Sequence, residues 1–288
     1  MTCYTALITP FNKEGKLDEE GFEKILSLQA SVDGVVVFGT TGETLTLSLQ
    51  EKHAMFLQTK RSALPFMAGC GLSSTTQTID NLGVAADYGA HSALVITPCY
   101  NRPTQEGLFQ HFKTLAMHSP LPIIIYNIPK RSGVNLNETT LKRLLQFPRI
   151  TGIKEASGEL SQISDIISLK KDHPEFKVYA GDDLWSLPVM ALGGDGVISV
   201  ASNLVPKIIK DLINTCKKGD FFHAQKMHHE LIPLFKALSF ETNPIPIKAA
   251  MEMVGLPAGP PRLPLTPLDQ SYLPLLKSII EPFFKIQS

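Results

Sequence analysis

The chain has 288 residues, with 27 Lys and Arg balancing 27 Asp and Glu, 43% hydrophobic residues and 19% charged ones. That is enough apolar material for a large core and too little charge for a disordered polymer, and the even balance offers no basic surface for nucleic acid or anionic lipid. No run approaches the roughly 20 apolar residues of a membrane span, and neither a secretory leader nor an Arg-rich transit segment opens the chain, so a cytoplasmic protein is expected.

Short Val-, Ile- and Leu-rich runs then recur in order: Ala6-Leu7-Ile8, Val35 to Phe38, Phe66-Met67-Ala68, Ala93 to Ile96, Ile123 to Tyr126, Thr151-Gly152-Ile153, Val178-Tyr179-Ala180 and Val197-Ile198-Ser199. Their starts are 29, 31, 27, 30, 28, 27 and 19 residues apart, the period of a strand, a helix and two loops. Apolar runs without polar alternation are what parallel strands buried on both faces look like. Amphipathic stretches fill the gaps, among them Asp18 to Leu28, Leu49 to Lys60, Glu106 to Met117 and Leu160 to Leu169. Ser48 with Glu51 reads as a capping box, and Asp182 or Asp183 can cap the helix after strand 7. Eight such units predict a (β/α)₈ barrel over residues 1–218, the short last spacing being the least regular step. From Gly219 the pattern is helical only, with Phe221 to Leu238, Pro246 to Val254 and Leu268 to Phe284. Residues 219–288 are therefore expected as a helical extension packed on the barrel or on a neighbouring subunit.

Catalytic groups of this fold sit at the C-terminal ends of the strands. Strand 2 ends in Gly39-Thr40-Thr41-Gly42-Glu43, strand 4 in Thr97-Pro98-Cys99-Tyr100-Asn101-Arg102, strand 5 in Tyr126-Asn127-Ile128-Pro129-Lys130-Arg131 and strand 6 in Lys154-Glu155. Lys154 leaves a buried strand, where desolvation disfavours the ammonium and frees an amine that can attack a ketone. The competing reading is a snorkelling lysine or an ion pair with Glu155. Gly39 to Gly42 offers backbone N-H groups and hydroxyls suited to a carboxylate, although threonines in such a loop also cap backbone. Tyr126 and Tyr100 are phenols that can pass protons or simply pack.

Other groups lose to simpler explanations. His223, His228 and His229 lack the i, i+4 spacing of a metal pair, Asp182-Asp183 suits capping, and Gly193-Gly194-Asp195-Gly196 precedes strand 8, away from the catalytic ends. Cys3, Cys70, Cys99 and Cys216 are scattered, so free thiols are expected. Neither a metal nor another cofactor is expected.

Gly39-Thr40-Thr41-Gly42-Glu43, Tyr126-Asn127-Ile128-Pro129 and Gly152-Ile153-Lys154-Glu155-Ala156, in this order on strands 2, 5 and 6, resemble the dihydrodipicolinate synthase and N-acetylneuraminate lyase superfamily. The resemblance covers essentially the whole chain. Arg131 resembles the arginine with which the dihydrodipicolinate synthase branch holds the carboxylate of aspartate semialdehyde, and which sialic acid lyases and sugar-acid aldolases usually lack. Thr40-Thr41 and Pro98 to Pro103 point the same way.

The resemblance implies a class I aldolase-type condensation. Lys154 forms an imine with pyruvate, the derived enamine attacks aspartate semialdehyde, and cyclisation through the substrate's amine releases the enzyme. It implies Tyr126 as proton donor and acceptor, linked through Thr41 to Tyr100 of an adjacent subunit in a homodimer or homotetramer. Thr40 and Thr41 would hold the pyruvate carboxylate, Arg131 the second substrate, and the backbone of Gly181 and Ile198 would line the pocket. At the positions where some members bind lysine as an inhibitor this chain has Leu49, Lys52, Ser73, Gln77 and Cys99, so inhibition by lysine is expected to be weak or absent.

Overall fold

A computed structural model of the chain describes residues 1–284. Eight strands run in chain order as β1 (Thr2–Ala6), β2 (Gly34–Val37), β3 (Phe66–Gly69), β4 (Ser92–Ile96), β5 (Ile123–Asn127), β6 (Ile150–Glu155), β7 (Lys177–Ala180) and β8 (Gly196–Ser199). Sequence order is also sheet order, and the sheet closes into a barrel. Helices alternate with the strands: α1 (Glu19–Leu28), α2 (Leu49–Arg61), α3 (Thr75–Asp87), α4 (Gln105–His118), α5 (Pro129–Ser132), α6 (Glu138–Leu144), α7 (Leu160–Ser168), α8 (Ser186–Ala191) and α9 (Pro206–Lys217). Three more follow, α10 (Phe221–Ala237), α11 (Ile245–Met253) and α12 (Leu273–Phe284). The expected (β/α)₈ architecture with C-terminal helices is what the chain forms.

By packing, the chain divides into two compact units, one of Pro65–Ile198 with Met1, the other of Thr2–Leu64 with the chain from Ser199 onward. In the first, β3 to β8 pair in parallel, and β5 is buried along its whole length. One irregularity breaks the register between β5 and β6. Ile123 lies opposite Ile150, but Ile124 lies opposite Gly152, so β6 carries one extra residue against β5 from there on. In the second unit β1 pairs with β2, Tyr4 opposite Gly34. There α9 packs on β1, α10 on α9 and α12, and α11 on α12.

The helix starts obey local chemistry. Ser48 Oγ accepts from Glu51 N at 3.2 Å while Ser48 N donates to Glu51 Oε2 at 2.9 Å, the reciprocal pair expected from the sequence. Asp18 accepts from Gly21 N at 2.8 Å, and Asp182 from Leu184 N at 3.0 Å, where it caps a short 3₁₀ turn.

Most boundaries shift by a residue or two, and two differ by more. The first strand ends at Ala6, and Leu7 and Ile8 lie beyond it, both buried. Ile8 N donates to the side-chain oxygen of Asn203 at 3.1 Å, so the apolar run continues into a buried loop whose backbone is satisfied by a side chain. The last helix begins at Leu273 and not at Leu268, because Asp269 caps a separate 3₁₀ turn at Gln270–Tyr272.

Candidate active site

In the first unit the ends of β4 to β8 bring several of the predicted residues to neighbouring positions. Lys154 is 4% exposed and lies opposite Tyr126 on β5 and Tyr179 on β7. Its Nζ stands 4.2 Å from the centroid of the Tyr126 ring, over the face of the ring. Lys154 makes no ion pair with any described residue. Glu155 is occupied elsewhere. Its carboxylate accepts from Ser157 N at 2.7 Å, Asn127 Nδ2 at 2.9 Å and Gln162 Nε2 at 3.5 Å. Burial holds the Glu155 carboxyl above the usual carboxylate range, against the pull of those donors. The ion-pair reading of Lys154 therefore fails, and a buried amine is left facing an aromatic ring.

Gly181, just past β7, donates its N-H to Glu155 O at 2.8 Å. A Cβ there would stand 2.8 Å from Ala156 Cβ and 3.1 Å from Lys154 Cγ, so only glycine lets the backbone pass this close to the lysine stem. Ile198 is fully buried on β8. Tyr100 is the opposite case: it is 95% exposed, with φ +73°. Its loop is tied down on either side. Ser73 Oγ donates to Cys99 O at 2.7 Å, Asn101 Nδ2 to Ser73 O at 3.2 Å, and Arg102 Nε to Gly133 O at 3.1 Å. Arg131 lies exposed in the short helix α5.

In the second unit the turn after β2 carries Thr40 and Thr41. Thr40 is half-buried and Thr41 is 3% exposed. Thr41 Oγ1 accepts from Asn243 Nδ2 at 2.9 Å. Two residues on, Glu43 has φ +50° and is buried; it accepts from Lys248 Nζ at 2.7 Å and from Arg262 N at 2.9 Å. Lys248 is 1% exposed. Burial pushes its ammonium below the usual lysine range, and Glu43 pulls in the other direction. Phe11 presents its ring to both cations, 4.3 Å from Lys248 Nζ and 4.0 Å from the Arg262 guanidinium. Arg262 continues to Glu51 with both terminal nitrogens and thereby reaches the start of α2.

Residues 1–282 match the model of the dihydrodipicolinate synthetase family. The chain belongs to that family. It is 46% identical over 283 residues to the 4-hydroxy-tetrahydrodipicolinate synthase of Protochlamydia amoebophila, covering 96% of this chain and 94% of that one. The crystal structure of dihydrodipicolinate synthase from Thermotoga maritima matches with a TM-score of 0.95 and 38% identity, over 98% of this chain and 97% of that one. A chloride-inhibited dihydrodipicolinate synthase from Acinetobacter baumannii, in complex with pyruvate, matches at 0.94 with 36% identity over 97% of each chain.

For a dihydrodipicolinate synthetase family member, the sequence reading missed Asn243 and Lys248, whose side chains help to fasten the Gly-Thr-Thr-Gly-Glu turn from 202 and 205 positions away. Lys248 left no clear trace: it stands between Ile245-Pro246-Ile247 and Ala249-Ala250-Met251, but Glu252 four residues on gives it the look of an ordinary solvated helix pair. Asn243 left none. Among the described residues no helix is long and apolar enough to cross a membrane.

Proposed function

We propose that this member of the dihydrodipicolinate synthetase family condenses pyruvate with L-aspartate 4-semialdehyde, with Lys154 as the Schiff-base nucleophile. The observation that carries the reading is a buried lysine, 4% exposed, held over an aromatic ring with no carboxylate on it. Lys154 attacks the ketone of pyruvate and loses water to give the imine; a methyl proton leaves, and the enamine carbon adds to the aldehyde. The substrate's own amine then displaces Lys154 as the ring closes to 4-hydroxy-tetrahydrodipicolinate. Covalent capture divides one difficult carbon–carbon bond formation into easier steps.

The remaining roles follow the family resemblance. Tyr126 donates and accepts the protons, with the Thr41 hydroxyl and Tyr100 in the same relay; Thr40 and Thr41 hold the pyruvate carboxylate; Arg131 holds that of the semialdehyde; Gly181 and Ile198 line the pocket with backbone. The 95% exposure of Tyr100 supports its delivery to an adjacent subunit in a homodimer or homotetramer. A cytoplasmic location fits an enzyme of this biosynthetic step. The Ser73 hydroxyl is committed to Cys99 O, which supports the expectation that millimolar lysine leaves turnover nearly unchanged.

Borohydride reduction in the presence of pyruvate tests the central step. The intact chain should gain a stable pyruvate-derived mass, and Lys154→Ala should gain none; an unlabelled intact chain would overturn the proposal. The other pyruvate aldolases, acting on sialic acids or 2-keto-3-deoxy sugar acids, share the lysine. Arg131→Ala separates them, since it should damage use of aspartate semialdehyde far more than trapping with pyruvate.

A further inference from the structure

We infer that Asn127 and Glu155 are positioning residues, a side-chain clasp on the outer face of the sheet that keeps Lys154 over Tyr126; this rests on the Schiff-base role proposed above for Lys154. Tyr126 and Lys154 are the next-to-last residues of β5 and β6, and the last residues, Asn127 and Glu155, lie opposite each other. Element ends are where local opening costs least, so a reacting pair one residue from the end needs a tie beyond it. Successive side chains of a strand point to opposite faces, so the pair that follows Tyr126 and Lys154 points away from them, towards the helices. There Asn127 Nδ2 donates to Glu155 Oε2 at 2.9 Å, the two residues being 0% and 1% exposed.

The clasp is itself held at both ends. Glu155 Oε1 accepts from Ser157 N at 2.7 Å, and Oε2 also from Gln162 Nε2 of α7 at 3.5 Å. Asn127 Nδ2 donates to Asn135 Oδ1 at 2.8 Å as well, while Asn127 Oδ1 accepts from Leu136 N at 3.0 Å. Asn135 Nδ2 in turn donates to Gln162 Oε1 at 2.7 Å. Both protons of the buried Asn127 amide and its oxygen are thus engaged, and a buried network satisfied in this way specifies one geometry. The extra residue of β6 makes that worth having, because a bulged pair of strands is open to slippage and a side-chain pair peculiar to one alignment removes that freedom. Asn127 and Glu155 act through the backbone that carries Tyr126 and Lys154.

The test reverses the direction of the bond. Turnover with pyruvate and aspartate semialdehyde is timed per folded chain, well below each variant's thermal midpoint, so that a loss of stability alone moves nothing. Asn127→Asp sets a carboxylate against the Glu155 carboxylate and should lower kcat about 100-fold at alkaline pH, the effect of roughly 1 Å of misplacement, with the pyruvate KM within about twofold. Relative to wild type the defect should shrink towards pH 6, because two facing carboxyls can share a proton. Adding Glu155→Gln restores a donor and an acceptor in the opposite order: the introduced amide keeps its oxygen on Ser157 N and gives its nitrogen to the introduced carboxylate. The double variant should recover at least about tenfold in kcat and lose the added pH dependence.

A double variant no faster than Asn127→Asp would overturn the inference. So would single variants that melt earlier yet turn over like the wild type per folded chain, which would make the pair part of the frame alone. Where Asn127→Asp does not fold, Glu155→Gln by itself decides: it sets a donor against a donor, and kcat should fall about threefold to tenfold with the pyruvate KM unchanged. A wild-type kcat in that variant overturns the inference. Borohydride trapping with pyruvate is run alongside. A wild-type chain that traps nothing sinks the Schiff-base reading itself, whereas a trapped wild type without recovery in the double variant sinks only the clasp.

Discussion

The end of β6 and the turn after β2 both bury a lysine, and they treat it in opposite ways. Lys248 is given a carboxylate at 2.7 Å, a backbone carbonyl at 3.3 Å and an aromatic face. Lys154 is given an aromatic face and no carboxylate, although Glu155 is its neighbour in sequence. A buried lysine with a carboxylate, a carbonyl and a ring against it is committed to the frame, whereas one given only a ring has no charged partner to hold it. The two lysines share their burial and differ in their partners.

The largest effect that would sharpen this contrast is on chemistry. Lys154→Met should cost at least about 1000-fold in turnover, because the covalent route disappears. Its stability should be unchanged or higher, because an unpaired buried polar group is replaced by an apolar one of similar length. A destabilised Lys154→Met would break the contrast, and urea unfolding measures it. Lys248→Ala should behave in the reverse sense. It leaves Glu43 buried without its cation and should lower unfolding free energy by about 3–5 kcal/mol, with lost activity recoverable in the fraction that remains folded.

Gly181→Ala comes next, at about 1–3 kcal/mol for overpacking. Its new methyl would meet Ala156 Cβ at 2.8 Å and the Lys154 stem at 3.1 Å, so kcat should fall together with the thermal midpoint. A glycine whose only task is backbone freedom would show the stability loss without the loss of pyruvate trapping.

The smallest expected effect distinguishes the two regions by pH. Glu51, bonded chiefly by Arg262, has its carboxyl lowered to about 2. The folded state stays ionised while the unfolded state takes up a proton near pH 4.5, so this contribution is complete above pH 4.5 and is lost as pH falls towards 2. At the partly solvated rim it should amount to about 1 kcal/mol or less. Glu155 has the opposite sign, since burial raises its carboxyl. The folded state binds the proton first, and acidification down to the ordinary carboxylate range should stabilise it. Acid titrations of Glu51→Gln and Glu155→Gln should therefore deviate from the parent in opposite directions.

The barrel could be read from the chain because strands buried on both faces produce continuous apolar runs, and eight of them at a near-constant period leave few alternatives. Lys154, Tyr126 and the Gly-Thr-Thr-Gly-Glu turn were legible for a related reason: polar residues directly after an apolar run stand out. The end of β1 was not legible, because Leu7 and Ile8 remain buried in a loop whose backbone is satisfied by Asn203, nearly 200 residues away. Asn243 and Lys248 escaped for the same reason. Their meaning lies in partners on the far side of the chain, and no local pattern encodes a side chain's distant acceptor. A lysine on a helix is read by default as a solvated one, and Glu252 four residues beyond Lys248 strengthens that misreading.

The extra residue in β6 gives the arrangement of Lys154 a further meaning. Had the pairing of Ile123 with Ile150 continued unbroken, Tyr126 would stand opposite Ile153, and Lys154 would share a side of the sheet with Asn127. The one-residue shift realigns the strand so that Lys154 and Tyr126 meet. The position of the amine is therefore a matter of counting along two strands, and a homologue could carry every motif residue and still point its lysine at the wrong layer.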